Sequence, residues 1–531
     1  MALVGATLID GTGAPPLSDA VILIEKDRIL RVGPRSQVRI PDGADRKDLS
    51  GLTILPGLID SHVHITFALP RGPSDPQADA TINGVLQQFL RHGVTSIRDL
   101  GAGYPWILDL TRSVEQGRRE GPRIFAAGPM LTALGGHPAG TLLRGNDGAI
   151  ASGTRQIVSP EQGREVVRDL ASSGVDVIKA VLDSRGRPNS PERIPALDEA
   201  VLGAIVAEAQ DAGVPVTVHW GNVNELPAIA AVRPAQLEHA GYAPIPAAVI
   251  SQIARAGIAV DPTLVIMSAT IPSPDQFASG PLENVRRLHE AGVVITGGTD
   301  APLGNLPFGE SLHRELELLV KAGLSRMEAI QAATSRPANL VKHADEIRTI
   351  QAGKRADLLF QSRGLQQRQQ QRGTFSHAIY SSTTSPTKVR CGLAQELFRT
   401  RRSHATDRLI ARIHCWIEFQ LVAIQNCSFS YNSRDISGIA NILIGLPVHN
   451  KNVSEFARLQ SAPFCLGIHN TSRILCGYRD YFQWRQAGLD EQLKFPVNTL
   501  TLEVAGIGGI GACGDQDTRP HQSFDIALSI E

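Results

Sequence analysis

Two histidines close an apolar run near the start of the chain. The segment ILPGLIDSHVHI, residues 54–65, ends in His62 and His64, which a single valine separates. Side chains at positions i and i+2 of a strand point to the same face, so these two imidazoles could bind one cation together. The alternative is a hydrogen-bonded pair that serves structure alone. The spacing by itself leaves both interpretations open.

Four more groups suited to metal chemistry follow later in the chain. They are Lys179 in VDVIKAV, His219 in VPVTVHW, His239 in AQLEHAG and Asp300 in VVITGGTDAP. Taken singly, each has a structural explanation, such as a salt bridge for the lysine or a turn cap for the aspartate. Imidazole and carboxylate ligands suit zinc, manganese or a similar divalent ion. Six such groups at the ends of successive apolar runs predict a metal site.

These groups are carried by a regular alternation of short apolar runs and amphipathic stretches, which predicts strands and helices. The predicted strands are GLIDSHVHI, TSIRDLG, RIFAAG, VDVIKAV, PVTVHW, AQLEHAG, IAVDPTL and VVITGGTD. Eight strands alternating with helices over residues 56–344 favour an α/β fold, a (β/α)8 TIM-like barrel whose strand ends share one pocket. A doubly wound open sheet is the alternative, because periodicity does not distinguish a closed sheet from an open one.

A small β-sandwich module is predicted from two separate parts of the chain, residues 1–55 and 345–360. In the first part, VILIEKDRILRVG has apolar runs around a polar centre, which is typical of a hairpin. In the second part, IQAGKRADLLF predicts a strand, a turn and another strand. The module is therefore composite, with the barrel inserted between its two parts.

Residues 361–531 follow a different pattern. They begin with the Gln/Arg-rich run QSRGLQQRQQQRGTFSH, and their periodicity is weak. All six cysteines lie beyond residue 390, whereas the last of the four methionines is Met327. We expect an atypical tail that is poorly ordered or translated out of frame, with an appended domain as the alternative.

The overall composition excludes several classes of partner. Lys+Arg and Asp+Glu are both 52 in 531 residues, so no basic excess favours nucleic acid or an anionic membrane. No apolar stretch is long enough for a membrane span, and the N-terminus lacks the pattern of a signal peptide. We expect a cytoplasmic protein that acts on a small molecule, and the composition leaves a homo-oligomer open.

Five motifs together resemble the metal-dependent amidohydrolase superfamily. They are PGLIDSHVH, GHPAGT, TGGTDAP, AIQAATSRPANLV and IQAGKRADLLF. The resemblance covers residues 1–360 and is closest to the branch of Xaa-Pro dipeptidases (prolidase-like enzymes) and imidazolonepropionase-related hydrolases. It implies a barrel enzyme with two divalent metal ions, expected to be zinc. The superfamily normally continues past the last of these motifs with further strands, which we do not find in residues 361–531.

The resemblance also implies a set of metal ligands. One ion would be held by the paired histidines and the last aspartate, the second by the two later histidines, and a carbamylated lysine would bridge them. These positions are His62, His64 and Asp300 for the first ion, His219 and His239 for the second, and Lys179 for the bridge.

Further site residues are expected around the metals. Asp300 is placed to move a proton, and His137, on a Gly-rich loop after the third strand, to bind the oxyanion or the substrate. Tyr242, three residues after His239, is expected to contact substrate, with an ordinary loop aromatic as the alternative. Arg98 could face a substrate carboxylate, with an ion pair to Asp99 or another neighbour as the alternative.

The function that follows is hydrolysis of a C–N bond, an amide or peptide, in a small substrate such as a dipeptide or an N-acyl amino acid. The attacking group would be a hydroxide shared by the two metal ions. A cyclic amidohydrolase or a deaminase on the same scaffold is a second hypothesis, although Lys179 argues against mononuclear deaminases. A third is an inactive product with a defective C-terminus.

Overall fold

The computed structural model describes residues 1–69, 72–185, 193–341 and 346–361 in full. Beyond them it describes only the backbone of residue 362 and of the strands His377–Tyr380, Arg390–Cys391, Leu443–Ile444, Ala457–Arg458, Leu500–Ala505 and Asp525–Ile530. The chain divides into two compact units, Met1–Thr400 and Arg401–Glu531. The predicted tail, residues 361–531, therefore lies largely outside the described residues.

The first unit begins with an eight-stranded sheet. The predicted hairpin is confirmed, because Leu17–Glu25 pairs antiparallel with Arg28–Pro34 across a tight turn. The remaining strands of this sheet are Ala2–Leu8, Arg46–Asp48, Leu52–Pro56, Leu358–Ser362, His377–Tyr380 and Arg390–Cys391.

The two ends of the barrel region meet in this sheet. Leu52–Pro56, just before the first histidine strand, pairs antiparallel with Leu358–Ser362. The outer edge of Leu358–Ser362 in turn pairs with His377–Tyr380, so the sheet continues past the predicted boundary at residue 360. A buried apolar cluster that includes Ile22, Ile54 and Leu358 packs against the sheet and holds its two parts together.

The parallel strands form two further sheets in the same unit. The three-stranded sheet consists of Leu58–Val63, Val94–Asp99 and Arg123–Ala126. The six-stranded sheet has the order Thr154–Ile157, Met130–Ala133, Ile178–Leu182, Val216–Trp220, Gln236–Glu238 and Ala259–Asp261. Seven predicted strands are found here, and the two that periodicity missed have four residues each.

The predicted eighth strand, VVITGGTD, is not a strand in the structure. It makes single parallel bridges, Val260 with Ile295 on one side and Val63 with Ala301 on the other. One reason is that the backbone N–H of Gly297 donates to Ala332 O instead of to a strand, at 2.8 Å. Among the described residues the parallel strands thus form an α/β fold without one continuous closed sheet.

Helices connect these strands, and their ends follow the sequence signals. Ser159 caps Pro160–Ser173 by accepting from the backbone N–H of Gln162, and Gly174 ends this helix in the left-handed conformation. The α-helices are Ala78–Arg91, Trp106–Glu115, Asp147–Gly153, Pro160–Ser173, Glu199–Asp211, Leu226–Val232, Ala247–Ala256, Leu264–Thr270, Pro274–Phe277, Glu283–Glu290, Glu310–Lys321, Arg326–Ala332 and Ser335–Ala338. Short 3-10 turns occur at Ile65–Ala68, Val223–Glu225 and Leu303–Asn305, and a π-helical turn at Ala278–Leu282.

The main hydrophobic core lies between these helices and the parallel strands. Ile97, Ile178 and Val218 contribute from strands, and Leu86 and Leu202 from helices, all fully buried. None of the helices in the described part of the chain is both long and apolar enough to cross a membrane. In the second unit, Leu443–Ile444 pairs antiparallel with Ala457–Arg458, and Leu500–Ala505 with Asp525–Ile530.

Candidate metal centre

The first histidine pair is placed by the first parallel strand and by the segment that bridges to it. His62 belongs to Leu58–Val63 and His64 follows directly, and both are buried. The backbone N–H of Asp300 donates to His62 O at 2.7 Å, which fixes the two segments side by side. Gly298 allows this approach, because a Cβ there would lie 2.6 Å from His62 Cβ.

Three side chains converge at this point. The Nε2 atoms of His62 and His64 are 3.2 Å apart, and Asp300 Oδ1 lies 3.4 and 3.1 Å from them. Two nitrogens that each lie about 2.1 Å from a tetrahedral zinc ion are about 3.4 Å apart. The separations therefore match those of three ligands of one ion, so this group could hold a metal ion.

A second histidine pair lies beside the first. His219 belongs to Val216–Trp220, and His239 follows Gln236–Glu238, the next strand of the sheet. His239 Nε2 and His219 Nδ1 are 2.8 Å apart, and the rings of His62 and His239 have centroids 5.2 Å apart. Two pairs of imidazole nitrogens are thus adjacent in one site.

Lys179 reaches the same site from lower in its strand. The sequence placed it at a strand end, but it is the second residue of Ile178–Leu182, opposite Thr217. Its long side chain compensates, because Nζ lies 3.5 Å from His62 Nε2. Burial lowers the pKa of the Lys179 amine, which favours its neutral form.

The first two histidines use their outer ring nitrogens for protein contacts. His62 Nδ1 lies 2.8 Å from Glu238 Oε2, and His64 Nδ1 lies 3.2 Å from Gly101 O. A carboxylate or carbonyl at this position holds the N–H on Nδ1. The lone pair is therefore on Nε2, the atom that faces the partner histidine.

The second pair follows the same arrangement. His219 Nε2 lies 3.3 Å from Asp183 Oδ2, and His239 Nδ1 lies 2.7 Å from Thr263 Oγ1. These contacts leave His219 Nδ1 and His239 Nε2 to face each other. All four histidines thus direct one ring nitrogen inward, as metal ligands do, and the carboxylate and carbonyl partners leave this nitrogen unprotonated in His62, His64 and His219.

Burial and neighbouring charges set the protonation states of this site. Burial and the Lys179 charge lower the pKa of His62 to about 4. Burial and the neighbouring His219 lower the pKa of His239 well below its ordinary value. Burial opposes ionisation of Asp300, but His62 and His64 outweigh it and lower the pKa of this carboxyl. Neutral imidazoles and an ionised carboxylate are the forms that bind a metal.

His137 lies on the loop after Met130–Ala133 and faces the same site. Its ring stacks on that of His219, with centroids 4.8 Å apart and an angle of 19°. Its Nδ1 lies 2.7 Å from Thr141 Oγ1, and burial lowers its pKa to about 3, with His219 contributing. His137 is therefore a neutral hydrogen-bonding group in the site.

These side chains line a small cavity of about 30 Å³. Its polar wall consists of the six predicted metal ligands and His137. Its remaining wall is apolar and consists of Phe67, Met130, Pro138, Leu142, Val181 and Leu303. This mixture of apolar side chains with a few convergent polar groups is typical of a site for a small molecule.

The expectation that Arg98 binds substrate is wrong. Its side chain is only 1% exposed, and the guanidinium donates to Ser61 O at 2.7 Å, to Glu238 Oε1 at 3.0 Å and to the Gln236 amide. The structural alternative, an ion pair, is correct, but the partner is Glu238 and not Asp99. Arg98 therefore anchors the carboxylate that contacts His62.

Tyr242 lies outside the cavity lining, at its side. It is 37% exposed, and the guanidinium of Arg185 lies over its ring, 4.9 Å from the centroid. Arg185 also pairs with Asp183, 3.3 Å away, which in turn contacts His219. Tyr242 is thus connected to the second histidine pair through two residues that sequence reasoning missed.

The other missed residues are Glu238 and Thr263. Glu238 directly precedes His239 in LEH, and Asp183 follows the lysine strand, so their position at strand ends was a usable signal. Thr263 carried no such signal.

Three residues of this site have a left-handed backbone. His239, Thr263 and Asp300 have φ values of 73°, 44° and 63°, although none of them is glycine. Such conformations are uncommon for residues with a Cβ and cluster at functional sites. The surrounding packing holds these three residues in place.

Comparisons with known proteins agree with this arrangement. The sequence model described as "Amidohydrolase family" matches residues 53–384, more than half of the chain. The imidazolonepropionase of Micrococcus luteus is 25% identical over 371 residues, covering 66% of this chain and 89% of that protein.

Solved structures are similar as well. A putative prolidase from Bifidobacterium longum has 25% identity and a TM-score of 0.59, covering 73% of this chain and 95% of the other. Molinate hydrolase has 25% identity and a TM-score of 0.61, covering 76% of this chain and 97% of the other.

Proposed function

The chain belongs to the amidohydrolase family, and we propose that it hydrolyses the amide or peptide bond of a small substrate such as a dipeptide or an N-acyl amino acid. The observation that carries the proposal is the orientation of four histidines. Each has its outer nitrogen occupied by the protein and its inner nitrogen directed at a neighbouring histidine. A set of buried imidazoles gains little from this arrangement unless cations bind between them.

The fold that supports this function is, in our proposal, a complete barrel. The segment between the two parallel sheets bonds to both of them: Thr296 N donates to Val260 O at 2.9 Å, and Ser61 N to Gly297 O at 3.1 Å. In a complete barrel, a segment with such bonds on both sides would take the place of an eighth strand. The strand ends would then face one pocket, as the site requires.

Two divalent ions, zinc in our proposal, would occupy this site. The first would be held by His62, His64 and Asp300, and the second by His219 and His239. Ions held there would polarise the scissile carbonyl and lower the pKa of a water molecule. The geometry supports this role for the first ion, because the separations between its three ligands are close to those of atoms that share one ion.

Lys179 would bridge the two ions as a carbamate. The buried amine has a lowered pKa, and its neutral form can attack carbon dioxide. A bond forms between Nζ and carbon, and one proton leaves the nitrogen. The carbamate presents two oxygens, as a glutamate does. Protonated Lys179 would repel both metal ions, whereas its carbamate is an anionic ligand.

The protein's own side chains would move the proton and hold the substrate. Asp300 is ionised at neutral pH and would accept the proton of the attacking water and deliver it to the leaving nitrogen. The hydroxyl of Thr141 would donate to His137 Nδ1, which leaves the Nε2–H free to donate to the carbonyl oxygen of the substrate.

The cavity wall indicates the kind of substrate. Its apolar part, which includes Phe67 and Leu142, favours a substrate with an apolar side chain. Arg185, held between Asp183 and Tyr242, would bind the substrate's carboxylate beside the second histidine pair. This gives Tyr242 its role in the proposal, to hold the guanidinium in place.

Metal analysis and substrate screening test the proposal together. Zinc-loaded protein should hold two ions per chain and cleave members of a dipeptide and N-acyl amino acid library. His62→Ala should lose the first ion and the activity, whereas His289→Gln, a change at a partly exposed histidine on the helix Glu283–Glu290, should leave both unchanged. Absence of bound metal in the zinc-loaded protein would refute the proposal.

A cyclic amide is the second candidate substrate, because curated relatives of this chain are imidazolonepropionases. One ion per chain together with activity on a cyclic amide, and none on the library, would favour it.

A further inference from the structure

Thr263 has an unusual backbone for its residue type. It follows the strand Ala259–Asp261 and is fully buried, with φ and ψ of 44° and 47°. A β-branched side chain is disfavoured in this left-handed region, since its Cβ approaches the neighbouring carbonyl. Such a conformation persists only when surrounding contacts hold it.

The hydroxyl of Thr263 points to the site and not to the helix that follows it. Thr263 stands at the N-cap position of Leu264–Thr270, where a threonine usually accepts a hydrogen bond from a backbone N–H of the first turn. Its side chain makes no such bond. Its Oγ1 lies 2.7 Å from His239 Nδ1 instead.

Another residue caps the helix in its place. The fully buried carboxyl of Glu315, on Glu310–Lys321, accepts from the backbone N–H groups of Leu264 at 3.0 Å and Val265 at 2.6 Å. The first turn is therefore satisfied without the threonine hydroxyl. Glu315 thereby releases Thr263 for its contact with the histidine.

We propose that Thr263 is a positioning residue that directs His239 toward the second metal ion. Its Oγ1 lies 2.7 Å from His239 Nδ1, and with the ion bound it would accept the N–H of this nitrogen and so keep the lone pair of Nε2 available to the ion. The left-handed backbone brings the hydroxyl to this place. The proposal rests on the proposed two-metal function. It states that the Thr263 hydroxyl determines how tightly the second site binds its ion.

The test compares metal affinities of four variants with those of the wild-type chain. Thr263→Val keeps the shape of the side chain and removes the hydroxyl, whereas Thr263→Ser keeps the hydroxyl. Thr263→Gly removes the hydroxyl but suits the left-handed backbone, so it folds without the strain. Thr334→Val is the matched control, since Thr334 is also fully buried and its hydroxyl donates to a helix carbonyl, that of Ile330.

Zinc affinities come from competition with a chelator, and cobalt(II) absorption spectra report the ligand geometry. We expect Thr263→Val and Thr263→Gly to keep the first ion and to bind the second about 10- to 100-fold more weakly, the usual effect of losing such a partner. Thr263→Ser and Thr334→Val should bind both ions as the wild type does. Melting temperatures measured in chelator report the folding of each variant separately.

Wild-type affinity for both ions in Thr263→Val and Thr263→Gly would overturn the inference. An equal loss in Thr263→Ser would also overturn it, because the hydroxyl would then not be the cause. If the wild-type chain itself binds fewer than two ions, the proposed function is wrong. The metal content of the wild type is therefore measured before the variants are compared.

Discussion

The close approach of Gly298 to His62 predicts that a single methyl group will disable the first metal site. A Cβ at residue 298 would lie 2.6 Å from His62 Cβ, 2.7 Å from His62 N and 2.5 Å from Asp261 Oδ2. Carbon atoms in contact are about 3.5 Å apart or more, so the Cβ of Gly298→Ala would be about 0.9 Å too close. Two of the three nearest atoms belong to the backbone and Cβ of His62, and these cannot rotate away.

The size of the shift of His62 determines the expected effect on metal binding. Ligand distances in a metal site tolerate about 0.2 Å, so a shift of His62 by several times this amount should prevent it from binding the ion. The overpacking itself should lower the free energy of unfolding by about 1–3 kcal/mol. Asp300 would move as well, because its backbone N–H is bonded to His62 O.

Gly297 provides a matched control one residue away. A Cβ there would have its nearest neighbour, Ala332 O, at 3.5 Å, an ordinary contact. Both alanine variants are dialysed against zinc and then buffer, and their metal content is measured by mass spectrometry alongside their melting temperatures in chelator. We expect Gly297→Ala to retain two ions per chain and Gly298→Ala to lose the first.

Two results would refute this reasoning. If Gly298→Ala kept the metal content and activity of the wild type, the approach of the two segments would not determine the position of His62. If Gly297→Ala lost metal equally, the distance of a Cβ from His62 would not be the cause.

Three further predictions concern the metal, the buried ion pair and pH. At concentrations that saturate the wild type, zinc should raise the melting temperature of the wild type, measured by scanning calorimetry, and not that of Lys179→Ala. Equal shifts would exclude a role for Lys179 in metal binding. Arg98→Met should lower the free energy of unfolding, measured by urea titration, by about 3–5 kcal/mol, because it leaves Glu238 buried without its cation. A change in KM without loss of stability would contradict this prediction. Burial raises the pKa of Glu315 well above its ordinary value, so the folded chain keeps a proton that the unfolded chain releases near pH 4.5. Its contribution to stability is therefore full below that pH and is lost as the pH rises through the folded-state pKa. In chelator, Glu315→Gln should flatten this part of the pH dependence of the free energy of unfolding. Parallel curves for the two proteins would show that the carboxyl does not titrate there.

Several elements could be predicted from the sequence because they depend on local patterns. Alternation identified the hairpin of Leu17–Glu25 and Arg28–Pro34, and apolar runs identified seven of the parallel strands. The i, i+2 spacing predicted that His62 and His64 share a face, and their Nε2 atoms are 3.2 Å apart. Strand spacing and side-chain periodicity are properties of a few neighbouring residues, so the sequence suffices for them.

The ends of the predicted strands identified the rest of the inner site. Lys179, His219, His239 and Asp300 all line the cavity with the first pair. The position of Lys179 along its strand was predicted incorrectly. The residue lies lower in the strand than expected and reaches the site through its long side chain. The eighth strand was also incorrect, since the backbone N–H of Gly297 donates to Ala332 O instead of to a neighbouring strand.

Only the tertiary structure decided what surrounds the histidines. The partner of Arg98 is Glu238, 140 residues away in the sequence, and neither residue type nor spacing distinguishes this pair from Arg98 with Asp99. The role of Thr263 depends on a left-handed backbone and on Glu315, which is 51 residues after Leu264, the first residue of the helix that it caps. The sequence by itself determined which groups could bind a metal, because that is a property of residue types and strand periodicity. The packing of distant strands and helices determined which nitrogen of each imidazole faces inward, because that depends on partners that only the folded chain brings within hydrogen-bonding distance.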